Sequence, residues 1–283
     1  MKYLIVNADD FGLNSGITRA ILDAHRLGIV TSATIMANMP GFEEAIRLVR
    51  NEPELGVGLH FNLTQGRPLS DPASIPGLVD REGMFLGSST ALAGRMVAGR
   101  LREEEIVAEL RAQIERVLDT GLALTHLDSH KHAHVLPMVF RAVCRTAAAY
   151  GLRALRLPHE RGARMGGLSG KILKQRLVAA GLAGLSRLNR PVLRSFGLAA
   201  PDRFLGLTQT GFWNRDWLID LFQQLPHGIS ELMCHPGYLD EDWGVAKTRL
   251  RESRLAEFHL LTDPEVIATI ERGGIRLISY RHF

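Results

Sequence analysis

Short apolar runs alternate with segments of helical period along the chain, and this alternation constrains the fold more than any other feature. Tyr3–Asn7, Val30–Met36, Leu55–Leu63, Leu122–Leu127, Ile229–Cys234 and Ile275–Ile278 read as strands, with Arg153–Leu157 as a further extended run. Asn14 and Ser15 can cap a helix running to Arg26, along which Ile17, Ile21, Ala24 and Leu27 recur at helical spacing. Further helices are predicted over Phe42–Asn51, Glu103–Thr120, Val135–Tyr150, Trp213–Leu225, Lys247–Leu260 and Pro264–Gly273, and residues 65–90 read as one long loop. Repeated βα units give either an open doubly wound sheet or a (β/α) barrel. With about seven strands, the expectation is an α/β fold, a distorted or incomplete (β/α) barrel with parallel strands. It would form a single domain over residues 1–283, carrying a basic helical insertion at about 161–200.

The insertion stands out by charge. The net charge of +4 conceals ten Lys/Arg against the single acid Glu160 within residues 151–200, so that segment is +9 and the rest of the chain −5. From Leu168 to Leu198 cations alternate with Leu, Ile, Val and Ala, as in an amphipathic basic helical hairpin. Such a hairpin can lie on an anionic membrane or pack on an acidic surface, the body's own or a partner's. Nucleic acid is not expected, because Phe196 is the only aromatic there for stacking. An apolar fraction of 46% excludes a disordered or collagen-like chain. Two cysteines, Cys144 and Cys234, cannot build a disulfide framework. The opening MKYLIVNADD is too short and acidic-ended for a signal peptide, and no run approaches the roughly 20 apolar residues of a membrane span. A cytoplasmic protein, peripheral on the inner membrane through 161–200, is therefore expected.

The chemistry-bearing residues fall at the C-terminal ends of the predicted strands, where parallel α/β folds place active sites. Asp9 and Asp10 follow the first strand, and Gly12 predicts a tight turn that presents both carboxylates. Neighbours on a strand end point different ways, so one carboxylate can bind a metal while the other acts as a base. His60 near the end of the third strand is, by itself, more readily a packed residue than a ligand. The run THLDSHKHAH, residues 125–134, holds four of the eleven histidines, too many for alternating positions to turn on one ion. Asp128, two residues before His130, suits a supporting or substrate-facing role. Cys234 and His235 point to opposite faces, which argues against a thiol–imidazole pair and leaves His235, turned by Pro236 and Gly237, as an acid/base candidate. One carboxylate and two imidazoles leave a divalent ion open positions for water and a carbonyl oxygen, which points to ester or amide hydrolysis.

The segments VNADDFG, GIVTSATIMAN, GVGLHFNLTQGRPLS, THLDSHKHAH and CHPGY, in this order, resemble the YdjC-like carbohydrate deacetylase family from Met1 to near residue 280. The resemblance implies a distorted barrel that removes N-acetyl groups from amino sugars with a divalent metal, and pairing into a homodimer. It places the metal on Asp10, His60 and His130, the base on Asp9 and the proton-donating, protonated histidine on His235. Asp128, His132 and Asn62 are expected to support the ligands or to contact substrate. Imidazole ligands and amide hydrolysis favour zinc, whereas analogy within the family favours magnesium; the ligand types alone also admit manganese and cobalt. SRLNRPVLRSFGL and APDRFLGLTQTGFW resemble the family branch associated with hopanoid biosynthesis, which implies N-acetylglucosamine on a hopanoid lipid as substrate. A deacetylase of soluble chitooligosaccharides, a metallo-phosphoesterase and a non-catalytic sugar or lipid binder are the alternatives. A two-metal phosphoesterase needs more carboxylates at the strand ends than the sequence offers.

Overall fold

The N-terminal apolar run becomes the axis of the sheet. In the computed structural model, which describes residues 1–160, 170–239 and 250–283, β1 spans Lys2–Phe11 and is buried from Leu4 onward. It is longer than the predicted Tyr3–Asn7 because neighbours cover it on both sides, so Asp9 and Asp10 lie within the strand. Among the described residues the strands are β2 (Ser32–Ile35), β3 (Gly56–Phe61), β4 (Leu127–Ser129), β5 (Arg203–Leu205), β6 (Gly228–Cys234) and β7 (Ile275–Leu277). Every ladder is parallel, in the order β4-β3-β2-β1-β6-β5. One edge of β1 is shared: β7 pairs with Lys2–Leu4, and β2 with Asn7–Phe11. Between β4 and β5 the ladder gives way to single-residue bridges, Leu127 to Leu155 and Ala154 to Ala199. The result is the expected distorted (β/α) barrel, weakly joined on one side.

The helices form the outer layer: α1 (Ser15–Arg26), α2 (Phe42–Val49), α3 (Ser89–Val97), α4 (Glu103–Leu118), α5 (Pro137–Ala149), α6 (Gly170–Ser195), α7 (Arg215–Gln223), α8 (Glu252–Leu261) and α9 (Pro264–Arg272). The Asn14 side chain caps α1 through the Ile17 N–H at 2.9 Å, and Ile17, Ala20, Ile21 and Ala24 face the core. In α4 two acids turn inward rather than toward solvent. Glu109 accepts the Leu69 and Ser70 N–H groups and Glu105 that of Gly77, which braces the long loop before α3 against the barrel.

Three expectations are corrected. The strand predicted at Leu122–Leu127 begins only at Leu127; Thr125 and His126 run beside β3 through single backbone bonds to Val57 and Leu59, without a ladder. The basic insertion is not a hairpin where it is described, but one 26-residue helix, α6, continuous through Pro191. The helix expected from Lys247 is helical from Glu252. Residues 161–169 of the insertion, and Lys247 itself, lie outside the described residues. No described helix is long and apolar enough to cross a membrane.

Candidate active site

Four strand ends converge as expected, but the backbone does something that alternation does not predict. Asp10 adopts a left-handed conformation (φ +67°), and the register between β1 and β2 slips between Ala8 and Phe11. A β-bulge of this kind re-aims a side chain. Asp9 and Asp10 therefore do not point apart: both face His60, and different cations hold them.

Asp10 sits between two imidazoles. Its Oδ1 is 3.0 Å from His130 Nδ1 and 3.4 Å from His60 Nε2, while Oδ2 accepts a hydrogen bond from the buried Arg254. That guanidinium and His130 hold the Asp10 carboxyl well below its ordinary range, against the opposing effect of burial. The other ring nitrogen of His60 lies 2.6 Å from Asp128 Oδ1. Burial disfavours a charged His60, but the Asp128 and Asp10 carboxylates outweigh it and raise the imidazole to about 10. Burial pushes His130 down, and its Nε2 is enclosed with no hydrogen-bond partner.

This donor set fits a divalent ion. Around a tetrahedral centre with bonds of about 2.1 Å, neighbouring ligand atoms lie roughly 3.4 Å apart, close to the separations of Asp10 from the two imidazoles. A carboxylate behind a ligating histidine is the usual support for such a ligand, and Asp128 stands in that position to His60. A cluster that draws a proton onto a buried imidazole favours positive charge, and an ion would take the proton's place.

A second grouping, Asp9, His60 and Asp128, also has metal-like spacing. Its charge is already met. The Arg156 guanidinium, fully buried, donates to both Asp9 oxygens at 2.7 Å, lies 2.5 Å from Asp128 and 2.7 Å from Glu231, and fills the place a second cation would take. Burial opposes the Asp9 charge, but Arg156 more than compensates and holds its carboxyl below the ordinary range. Glu231 is secured further by the Tyr280 hydroxyl at 2.6 Å.

His235 faces this pair across a gap, its Nε2 3.9 Å from Asp9 Oδ2. On its other side Glu257 accepts the His235 backbone N–H at 2.6 Å and lies 3.9 Å from Nδ1. Burial lowers His235 to about 4 and raises Glu257 to about 7. Burial thus favours the neutral imidazole at His235, which is expected to be protonated, and the protonated carboxyl at Glu257.

Other sequence candidates sit elsewhere. Asn62 is fully buried; its amide oxygen accepts the Thr64 and Gln65 N–H groups and its nitrogen reaches Asn38 and the Gln65 carbonyl, so it shapes the loop after β3 and has no group left for a ligand. His132, at φ +52°, packs edge-on against His134 and Phe204. His134 is anchored to Ser129 and the Arg156 carbonyl, and His126 stacks on Tyr280 at 3.7 Å, so two of the four clustered histidines are structural. Both cysteines are buried and unpaired.

The sequence reading missed Arg156, Arg254, Glu231 and Glu257. Arg156 lies within the basic segment, outside the predicted catalytic strand ends, yet it holds Asp9.

Residues 3–272 match the family described as YdjC-like protein. The chain belongs to that family. Relatives named carbohydrate deacetylase include one from Geobacillus stearothermophilus, 38% identical over 100% of this chain and 98% of the relative, and one from Brevibacillus brevis, 34% identical over 98% of each. Among solved structures, a proposed cellobiose-phosphate cleavage protein from Enterococcus faecalis superposes with a TM-score of 0.81 at 27% identity, over 99% of this chain and 98% of that one. A lactam utilization protein from Thermus thermophilus shares the fold at a TM-score of 0.50 and 17% identity. In this YdjC-like chain, the bulge at Asp10 and the two buried arginines build the centre described above.

Proposed function

We propose that this chain is a metal-dependent carbohydrate N-deacetylase acting on N-acetylglucosamine carried by a hopanoid lipid. The observation that carries the reading is the juxtaposition of Asp10, His60 and His130 with the Arg156-held Asp9 on one side and His235 beside it. The names of the relatives, carbohydrate deacetylases, support the reaction class. The lipid part rests on the sequence resemblance and on α6, where Leu173, Leu177 and Leu188 are exposed alongside Lys174, Arg187 and Arg194.

Asp10, His60 and His130 would hold the ion, which when bound polarises an amide carbonyl and makes water acidic. The chain's own groups then move the protons. Asp9, kept ionised by Arg156 over the working range, accepts a proton from the attacking water. Held so strongly it is a weak base, which suits an already acidified water. As the carbon–nitrogen bond breaks, the leaving amine needs a proton. His235 delivers one from Nε2 and is resupplied at Nδ1 from Glu257, whose raised affinity keeps it protonated up to about 7. The products are acetate and the free amino sugar.

Mass spectrometry on N-acetylglucosaminyl hopanoid in anionic vesicles and on chitobiose tests the reading. Acetyl loss with release of acetate is expected from the lipid substrate at the higher kcat/KM. Acetyl loss from chitobiose alone would return the substrate to soluble oligosaccharides, and loss from neither would end the deacetylase reading.

The His235–Glu257 pair has its own test. The rate should fall as pH rises through about 7, where Glu257 gives up its proton. Glu257→Gln should flatten that limb of the kcat profile. An unchanged profile would leave Glu257 as a mere brace for the His235 backbone.

A further inference from the structure

The molecule has a cavity of about 380 Å³ that the deacetylation centre does not use. It opens at the other end of the sheet. Asp202, at the start of β5, pairs through its backbone and side chain with Ile229, and His227 immediately precedes β6. Asp9, Asp10 and His235 lie at or beyond the C-terminal ends of their strands. Arg203 is paired with Ser230, so four residues of β6, roughly 13 Å of strand, separate it from Cys234 at the active rim.

The lining is cationic. Arg187 and Arg190, three residues apart on one face of α6, meet Arg203 from β5, with His159 and His227 beside them and Asp202 as the single carboxylate. None of the three guanidiniums has an ion-pair or hydrogen-bond partner among the described residues. By contrast Arg26, Arg116, Arg145 and Arg272, also on the surface, each reach a carboxylate. Asp202 is already engaged by the Ile229 N–H at 2.9 Å. Phe204 closes the inner wall, its ring under the Arg156 guanidinium at 5.3 Å, so the cavity and the deacetylation centre are separate spaces.

We infer that this cavity is a second ligand site, for a phosphate monoester. Three fixed charges against one carboxylate leave an excess of two, which a phosphate dianion balances and a single carboxylate does not. Guanidinium forks match phosphate oxygens in pairs. The volume falls in the range of small-molecule sites and exceeds what one inorganic phosphate fills. Asp202 lines the cavity and its Oδ1 has no hydrogen bond among the described residues, which leaves it to accept one from a hydroxyl of such a ligand. A free metabolite and a lipid headgroup both present this chemistry.

Calorimetric titration of the full chain with glycerol 3-phosphate, and separately with phosphatidate vesicles, decides it. Saturable binding that weakens with salt is expected in at least one arm, and the arm identifies the source. Arg190→Gln and Arg203→Gln should each weaken that binding by about tenfold or more while leaving the melting temperature unchanged. Absence of saturable binding in both arms, or equal binding by the two variants, would overturn the assignment. Neither outcome depends on whether the chain deacetylates anything.

Discussion

Arg156→Leu should lower the stability of the fold by about 3–5 kcal/mol near neutral pH, the usual cost of removing one partner from a buried charge cluster. Arg156 is fully buried among Asp9, Asp128 and Glu231, and leucine would leave three carboxyls enclosed without their cation. The effect should depend on pH with a definite sign. In the parent, Arg156 depresses the Asp9 carboxyl, so that group stabilises the fold above its unfolded pKa and ceases to only as pH falls through its lowered folded value. In the variant burial of Asp9 and Glu231 is opposed only by the nearby imidazoles and the Tyr280 hydroxyl, so their folded values rise. The stability these two groups contribute is then greatest below their unfolded pKa and is lost as pH rises. The gap between parent and variant should therefore narrow on acidification, and urea denaturation at pH 5 and pH 8 measures it. Equal stability of the two chains at pH 8 would mean that the carboxyls are neutralised some other way.

Why Arg156 escaped the sequence reading follows from what periodicity can see. Strand ends were legible because Asp9, Asp10, His60 and His235 each interrupt or terminate an apolar run, and parallel α/β folds bring such ends together. Arg156 also sits in an apolar run, Ala154–Leu157, but the run lies in a segment dense in cations, where one more arginine does not stand out. An arginine flanked by residues that must be buried demands buried carboxylates, and that local signal was available. Arg254 and Glu257 carried a subtler one. In α8 the buried face is Arg254, Glu257, Phe258 and Leu261, so two charged residues occupy positions of an apolar stripe. Other features had no signal at all. β5 is three residues long, too short for a period to register, and the left-handed Asp10 coincides with the register slip against β2, which no pattern in the first strand announces. The single helix α6 differs from the hairpin that the alternation of cations with apolar residues predicts, since it runs unbroken through Gly181, Gly184 and Pro191.

Asp9→Asn should reduce turnover of an N-acetyl sugar by roughly a thousandfold, within the range general-base groups contribute, while metal stoichiometry stays at that of the parent. Both halves follow from how the two adjacent carboxylates are held. Asp10 contacts His60, His130 and Arg254, none of which hydrogen-bonds Asp9. Asp9 contacts Arg156 and Asn7 and, across 3.9 Å, His235. An amide in its place still accepts one bond from Arg156 but takes no proton from water. His130→Ala supplies the contrast: it removes an imidazole from the ligand set, and metal content and turnover should fall together. Metal analysis beside single-turnover rates separates the two variants. Turnover by Asp9→Asn at the parent's rate would move the base elsewhere, whereas loss of metal from that variant would mean that Asp9 is a ligand. The assignment stands only on the pattern in which the second aspartate of the pair holds the ion and the first, clamped by an arginine, handles the proton.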